Sequence, residues 1–393
     1  MSIETRPLRI LIVVNLPWDP RLGATRVWIE LANEWTAAGH LVEKFCLTDA
    51  FPTPASSSGV SAIRALLFPA RAAAFIRNNG QRFDVIDALV GTLPFSKTSL
   101  RFRGLLVARS VGLYRLYEEF EKHAAKRWPR RERGKLIGRI FYRFFNKRIR
   151  AAAEASVNHC DLLNLPNSDE LVCVREEMRL TRPVMVQPYG LAAELATALA
   201  AAAATPERRL HARKVCFLGT WGVRKGSGDW PRIIDHVRAT VPEVRFLFLG
   251  TMMEPISVLQ ELNEAHRGSV EVVPKFEPDE LPRLLSECTV GAFPSYVEGF
   301  GLAVVEQLAA GLPTVAYDAP GPRDIMRDTL PELLTRAGDV DAFSMGIIRI
   351  LESEEDGYRA LAERSLATAD RFSWRQIAEA TIDEYRRRLP ETR

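Results

Sequence analysis

Short runs of apolar, β-branched residues recur along the chain with amphipathic stretches between them, the rhythm of βα units in a parallel sheet. "RILIVVN" reads as the first strand. Ala24, Val27, Trp28, Leu31, Ala32 and Trp35 follow at spacings of three and one, the apolar face of a helix that Gly39 is placed to end. "LVEKFCL", "FDVIDAL", "LLVARS", "CDLLNL" and "VMVQPYG" supply further strands before residue 190, with a Pro/Ser-rich surface loop at 52–59. The alanine-rich, weakly patterned stretch 192–213 interrupts this rhythm and reads as an interdomain connection. Alternation restarts with "KVCFLGT", "VRFLFLG", "VEVVPK", "VGAFPS" and "PTVAYD", and "FSWRQIAEATIDEYRRRL" reads as a helix with no strand after it. The expectation is an α/β chain of two Rossmann-like, doubly wound domains, 1–190 and 214–370, with a linker at 191–213 and a final helix at 371–393. Ligands of such sheets bind outside the carboxyl ends of the strands.

A length of 393 residues is too great for one ordinary core and agrees with two domains. Cys46, Cys160, Cys173, Cys216 and Cys288 stand singly with no CxxC pair. That pattern gives neither a disulfide framework nor a zinc site, so a reducing cytoplasm is the expected compartment. "LRILIVVNL" is too short to span a membrane and lacks a signal-peptide cleavage site, and no spanning segment is expected.

The net charge of +4 is unevenly spread. Residues 122–150 hold twelve Lys/Arg against the single acid Glu132, a local +11 that leaves −7 for the rest of the chain. Cations there interleave with Trp128, Ile137, Ile140, Phe141, Phe144, Phe145 and Ile149, several at helical spacing. Such a helix can lie on an anionic membrane surface as a peripheral contact, or its stripe can pack on the domain with the cations solvated. No nucleic-acid motif accompanies it, and nucleic acid is not an expected partner.

Candidate chemistry sits in the second half. "FLGTWGVRKGSGDW" follows a strand and leads into a helix. Its glycines permit close approach of backbone to a ligand, Lys225 can place a point charge on a phosphate, and Arg224 can add a second. The turn lacks the Lys-Ser/Thr pair of a P-loop. In "FPSYVEGFGLAVVEQLAAGLP" a strand, a turn and a helix follow one another, so the amides of Gly299, Phe300 and Gly301 would lie at the positive end of the helix dipole. Glu298 precedes that helix. Glu306 lies within it among Ala303, Val304, Val305, Leu308 and Ala309, where a charge needs partners. Carboxylates are poor phosphate partners but strong acceptors from vicinal hydroxyls, and a nucleoside diphosphate sugar offers hydroxyls on both sides of a diphosphate. Read blandly, Glu298 is a helix-start acid and Glu306 an ordinary helix residue. Asp339 and Asp341 mimic a metal-binding DxD, yet they follow Gly338 at a helix start, and capping explains them. His40 and His159 read as structural.

"SYVEGFGLAVVEQLAAGLPTVA" resembles the E-x7-E motif of retaining glycosyltransferases of family 4, which have the GT-B fold of two Rossmann-like domains facing a cleft. The likeness extends through "FLGTWGVRKGS" and "FEPDELPRLLSECTVGAFPS", and more loosely to "RILIVVNLPWDPRLGATRVWIELANEWTAAGHLV" and "VMVQPYGL". It implies a final helix crossing back to the first domain. It also implies transfer of a sugar, with retention and no bound metal or other cofactor, from a nucleotide-sugar donor to a glycan or lipid-linked acceptor in cell-surface polysaccharide or glycolipid synthesis. Glu298 would lie near the donor sugar and Glu306 would hold the ribose hydroxyls. Lys225 would neutralise the diphosphate, and the amides from Gly299 to Leu302 would hold sugar and phosphate. Gly23 and Ala24 fall where the family has a glycine pair closing over the diphosphate. The chain departs from the family pattern twice: Thr220 stands where an arginine is frequent, and Val111 where a histidine is. Arg224, and Arg109 with Ser110, are the respective candidates to compensate. The departures keep two rivals open, a catalytically silent sugar-nucleotide-binding or scaffold protein and a nucleotide-sugar epimerase.

Overall fold

The computed structural model describes residues 6–20, 22–128 and 136–389, without the side chains of residue 58 and residues 136–143. The first sheet holds β1 (Arg9–Val14), β2 (Leu41–Cys46), β3 (Val85–Leu89), β4 (Leu105–Arg109), β5 (Leu162–Leu165) and β6 (Val184–Val186) in the order β2-β1-β3-β4-β5-β6. The second holds β7 (Lys214–Leu218), β8 (Arg245–Leu249), β9 (Val270–Val273), β10 (Val290–Phe293), β11 (Thr314–Asp318) and β12 (Leu334–Arg336) in the order β12-β11-β10-β7-β8-β9. All neighbouring strands are parallel. These are the two Rossmann-like domains of a GT-B fold.

The apolar runs are continuous because helices cover both faces of each sheet. In β1, Ile10, Ile12 and Val14 pack with Val27, Trp28, Leu31 and Trp35 of the helix Gly23–Ala37. The alternate residues Leu11 and Val13 pack with Phe68, Ala72, Ala73 and Ile76 of the helix Ser58–Asn79 on the other face. By length and composition alone, Gly59–Arg82, at a mean hydropathy of 1.4, is long and apolar enough to cross a membrane. Phe68 and Ile76 enter the first domain's core, while Ile63 and Leu67 stay exposed.

β12 is the strand that periodicity does not reveal: Leu-Thr-Arg is three residues long and carries one β-branched side chain. The stretch 192–213 folds as two helices, Ala193–Ala202 and Pro206–Ala212. Buried Arg209 ties the second of them to the second domain, donating to the carbonyls of Ser286, Ala310 and Gly311 at 3.0, 2.8 and 2.9 Å. The last helix, Trp374–Arg388, crosses back to the first domain. Ala378 O accepts from Trp35 Nε1 at 3.3 Å, and Tyr385 donates to Asp87 of β3 at 2.5 Å.

The basic stretch is helical at Tyr114–Arg127 and Leu136–His159. Residues 129–135 lie outside the described residues, as do the side chains of Ile137, Ile140 and Phe141. Phe144 is 54% exposed and Lys147 and Arg148 are exposed. Arg127 instead reaches the second domain, its Nη2 3.0 Å from Asp229 Oδ1, and Trp128 stands edge-on to Tyr296. Asp339 caps the helix Val340–Leu351 by accepting from Ala342 N, as expected, and His40 Nδ1 accepts from Leu8 N. His159 is exposed at the end of its helix.

Candidate functional site in the interdomain cleft

β7 and β10 are neighbours although β8 and β9 lie between them in sequence, so the chain departs from them toward opposite edges of the sheet. The crevice at such a reversal is where doubly wound sheets bind ligands. Two loops meet there, residues 219–229 after β7 and 294–301 after β10. They are stitched together by Tyr296 N donating to Arg224 O at 2.9 Å.

This places three charges in contact. Glu298 Oε1 accepts from Arg224 Nη1 at 2.7 Å and lies 2.8 Å from Lys225 Nζ; Ser295 Oγ donates to the same oxygen. Burial works against ionising Glu298, but Lys225, Arg224 and Ser295 outweigh it and hold the carboxyl below its ordinary range. Burial lowers the Lys225 ammonium below its usual value; Glu298 opposes that and Arg224 adds to it. A polarised lysine beside a tightly held carboxylate is suited to meet an anion.

The helix Leu302–Ala309 begins at Gly301, whose φ of +99° is open to glycine at little cost and which offers no side-chain cap to the first-turn amides. Gly299 is needed for a different reason: a side-chain carbon there would collide with the Val111 carbonyl of the first domain. The loop is thus pressed against the other domain, and Asn167 Nδ2, after β5, donates to Gly299 O at 2.5 Å. Glu306 is buried on the cleft side of the helix, and its partner is Arg26 of the first domain, Nη1 to Oε1 2.8 Å.

The resulting cleft encloses about 730 Å³. It is lined by Gly23, Ala24 and Arg26 of the first domain and by Arg224, Lys225, Glu298 to Leu302 and Glu306 of the second. Every residue expected on the donor side is therefore brought together. Thr220 and Val111, the two departures, also line the wall. Arg109 and Ser110 do not. Arg109 is wholly buried at the end of β4, bound to Asp87 at 2.8 Å, Gln187 at 3.2 Å and the Tyr385 hydroxyl at 3.1 Å. Ser110 Oγ accepts from Gly112 N. Arg109 ties β4 to β3 and the crossover helix, Ser110 braces the loop after β4, and neither lines the cleft.

Arg26, Tyr117 and Asn167 are the residues that sequence reasoning missed. Tyr117 lines the cleft with Arg224 over its ring at 5.4 Å, and burial and Glu298 push its phenol upward. Asn167 stands just past the carboxyl end of β5, so the strand-end rule would have found it. Arg26 carried only a weak signal, a cation three residues beyond the glycine of the first βα turn.

In solved structures the architecture recurs across whole chains. Sucrose-phosphate synthase from Thermosynechococcus elongatus matches over 96% of this chain and 98% of that one, with a TM-score of 0.73 and 18% identity. Anabaena HepE, solved in complex with UDP and glucose, matches over 96% and 99% with a TM-score of 0.64 and 16% identity. In sequence, residues 212–353, within the second domain, match the family described as glycosyl transferases group 1. This chain is 37% identical over 125 residues to D-inositol 3-phosphate glycosyltransferase of Nocardioides sp., and 34% identical over 113 residues to O-antigen chain mannosyltransferase B of Escherichia coli. The matches cover 32% and 28% of this chain, and they span only 27% and 29% of those two proteins.

Proposed function

We propose that the protein is a retaining glycosyltransferase that moves a sugar from a nucleotide-sugar donor to a glycan or lipid-linked acceptor in cell-surface polysaccharide or glycolipid synthesis. The observation that carries this reading is the convergence of Lys225 and Arg224 on Glu298 beside the amino end of the helix that bears Glu306. Positive groups there suit a diphosphate, and carboxylates on either side suit the hydroxyls of ribose and donor sugar. In the reaction the bond between the anomeric carbon and the phosphate oxygen breaks. The acceptor oxygen takes its place on the same face, and the acceptor's proton leaves with the nucleoside diphosphate. Lys225, Arg224 and the amides from Gly299 to Leu302 stabilise the charge on the departing diphosphate, the role that a metal ion plays in many phosphate enzymes. We propose that no metal is required. The names of the similar proteins, and the UDP and glucose bound by HepE, support a nucleotide-sugar donor.

The test is incubation with a panel of nucleotide sugars and with glycan and lipid-linked acceptors, the product's anomeric configuration being read by NMR, with and without EDTA. The expected outcome is an α-linked product from an α-linked donor, undiminished by EDTA. Binding without turnover across the panel points to a silent protein, and acceptor-free conversion of the donor sugar to an epimerase.

The protein is placed in the cytoplasm by the same proposal, and five free, buried cysteines suit that reducing compartment. Exposed Phe144 beside exposed Lys147 and Arg148 supports a peripheral contact with anionic lipid. Failure to sediment with anionic vesicles would remove that contact from the proposal.

A further inference from the structure

The cleft contains a cation that no motif announces. Arg26 stands in the first turn of the helix Gly23–Ala37, and its side chain is only 16% exposed. Its partners in ion pairs among the described residues are Glu306, at 2.8 Å across the cleft, and Glu30 on its own helix, at a longer 3.4 Å. A guanidinium carries five N–H donors in a planar fork, and the bond to Glu306 engages one of them. The cations of the opposite wall, Arg224 and Lys225, already share the one oxygen of Glu298 as a partner. Gly219 and Thr220 also line the cleft and bring no charge.

We propose, resting on the nucleotide-sugar reading above, that Arg26 is a third cationic partner of the donor's diphosphate, and that Glu306 exchanges it for the donor's vicinal hydroxyls. Each member of the pair can be satisfied by a different part of one ligand. A carboxylate accepts from two adjacent hydroxyls, and a guanidinium forks onto a phosphate. The exchange leaves neither partly buried charge alone, a condition that such groups impose strictly. Arg26 belongs to the first domain, so its transfer to the diphosphate ties that domain to the ligand and not only to Glu306. The local pair in the structure holds the fork within reach of the cleft.

Calorimetry with the nucleoside, nucleoside monophosphate and nucleoside diphosphate of uridine, guanosine and adenosine, on wild type, Arg26→Ala and Arg26→Lys, tests this. For the base that binds best, Arg26→Ala should weaken the diphosphate roughly ten- to hundredfold, the range of one or two charge-assisted hydrogen bonds. The bare nucleoside should bind as well as to wild type or better. Arg26→Lys should recover part of the loss, because a point charge replaces the fork. An equal loss on nucleoside and diphosphate, or none on the diphosphate, overturns the inference and leaves Arg26 as a tie between domains. If the wild type binds no member of the series, the donor-site reading fails and takes this inference with it. Thermal unfolding of each variant is measured alongside; should Arg26→Ala not fold, Arg26→Lys and Arg26→Gln carry the same comparison.

Discussion

Lys225 Nζ and Glu298 Oε1 lie 2.8 Å apart at the point where the second sheet reverses its winding, and Arg224 Nη1 reaches the same oxygen at 2.7 Å. The three groups are unequal. Glu298 is the common partner of both cations, so its removal leaves two like charges facing each other in a buried loop. Removal of Lys225 leaves Glu298 with Arg224 and Ser295. Glu298→Ala should therefore cost about 3 kcal/mol or more, in the range for breaking a buried pair, and Lys225→Met distinctly less. Urea unfolding of both variants reads the order directly; a larger loss for Lys225→Met contradicts the shared-oxygen geometry.

Glu170 gives a pH signature. It is fully buried behind the loop that carries Val111, accepts from Leu113 N at 2.9 Å, and its Oε2 has no partner among the described residues. Burial raises its pKa to about 7, against hydrogen bonds from Ser110, Leu113 and Asn167. The folded state therefore holds this proton above the pH at which the unfolded chain releases it, near 4.3. Its contribution to stability falls as pH rises from about 4.5 to about 7 and is flat beyond. Glu170→Gln removes that slope. Its melting temperature should match wild type near pH 5 and exceed it at pH 8, by an amount corresponding to roughly 1–3 kcal/mol. Parallel melting curves at both values would refute it.

Arg109 should prove a folding residue. Its bonds to Asp87, Gln187 and Tyr385 join β3, β4 and the crossover helix in a site without water access. Tyr385→Phe removes one hydroxyl from this network and should lower stability by about 1–2 kcal/mol. Nucleotide affinity of the folded protein should be unchanged. A shift in affinity with unchanged stability would return Arg109 to the cleft.

These residues show what the sequence disclosed and what it hid. Strands such as "RILIVVN" and "VRFLFLG" are legible because both faces are covered, which makes every position apolar. β12 is hidden because a three-residue edge strand has no room for a pattern. The donor-side loops were legible because Lys225, Glu298 and the glycines sit on βα turns, where local sequence dictates local geometry. Arg26 was not, because its partner Glu306 lies 280 residues away and a cation in a first helical turn looks like solvated surface. Arg109 misled for the opposite reason. A polar residue at a strand's carboxyl end suggests a ligand contact, and only the neighbouring strand shows that Asp87 claims it. The basic stretch divides likewise: Arg127 pairs with buried Asp229 of the second domain, while Lys147 and Arg148 remain exposed.

The domains should part when that pairing is broken. Arg127–Asp229 and Arg323–Asp169 are ion pairs across the cleft, at 3.0 and 2.5 Å. The arginines are partly exposed, and Asp229 keeps the Tyr296 and Tyr317 hydroxyls when Arg127 is removed, so the pairs bias closure without fixing it. The double variant Arg127→Ala/Arg323→Ala should show a larger radius of gyration by small-angle scattering, with an unchanged melting profile for each domain. An unchanged radius would mean that Asn167 and the loop at Gly299 hold the domains together without them.

Whether Glu298 and Lys225 serve glycosyl transfer is decided by donor-dependent sugar transfer by wild type, Glu298→Ala and Lys225→Ala, with the best donor from the panel. Wild type should transfer, and kcat/KM should fall about a hundredfold or more in each variant, the scale of losing a group that stabilises transition-state charge. Full activity in both variants would contradict that role.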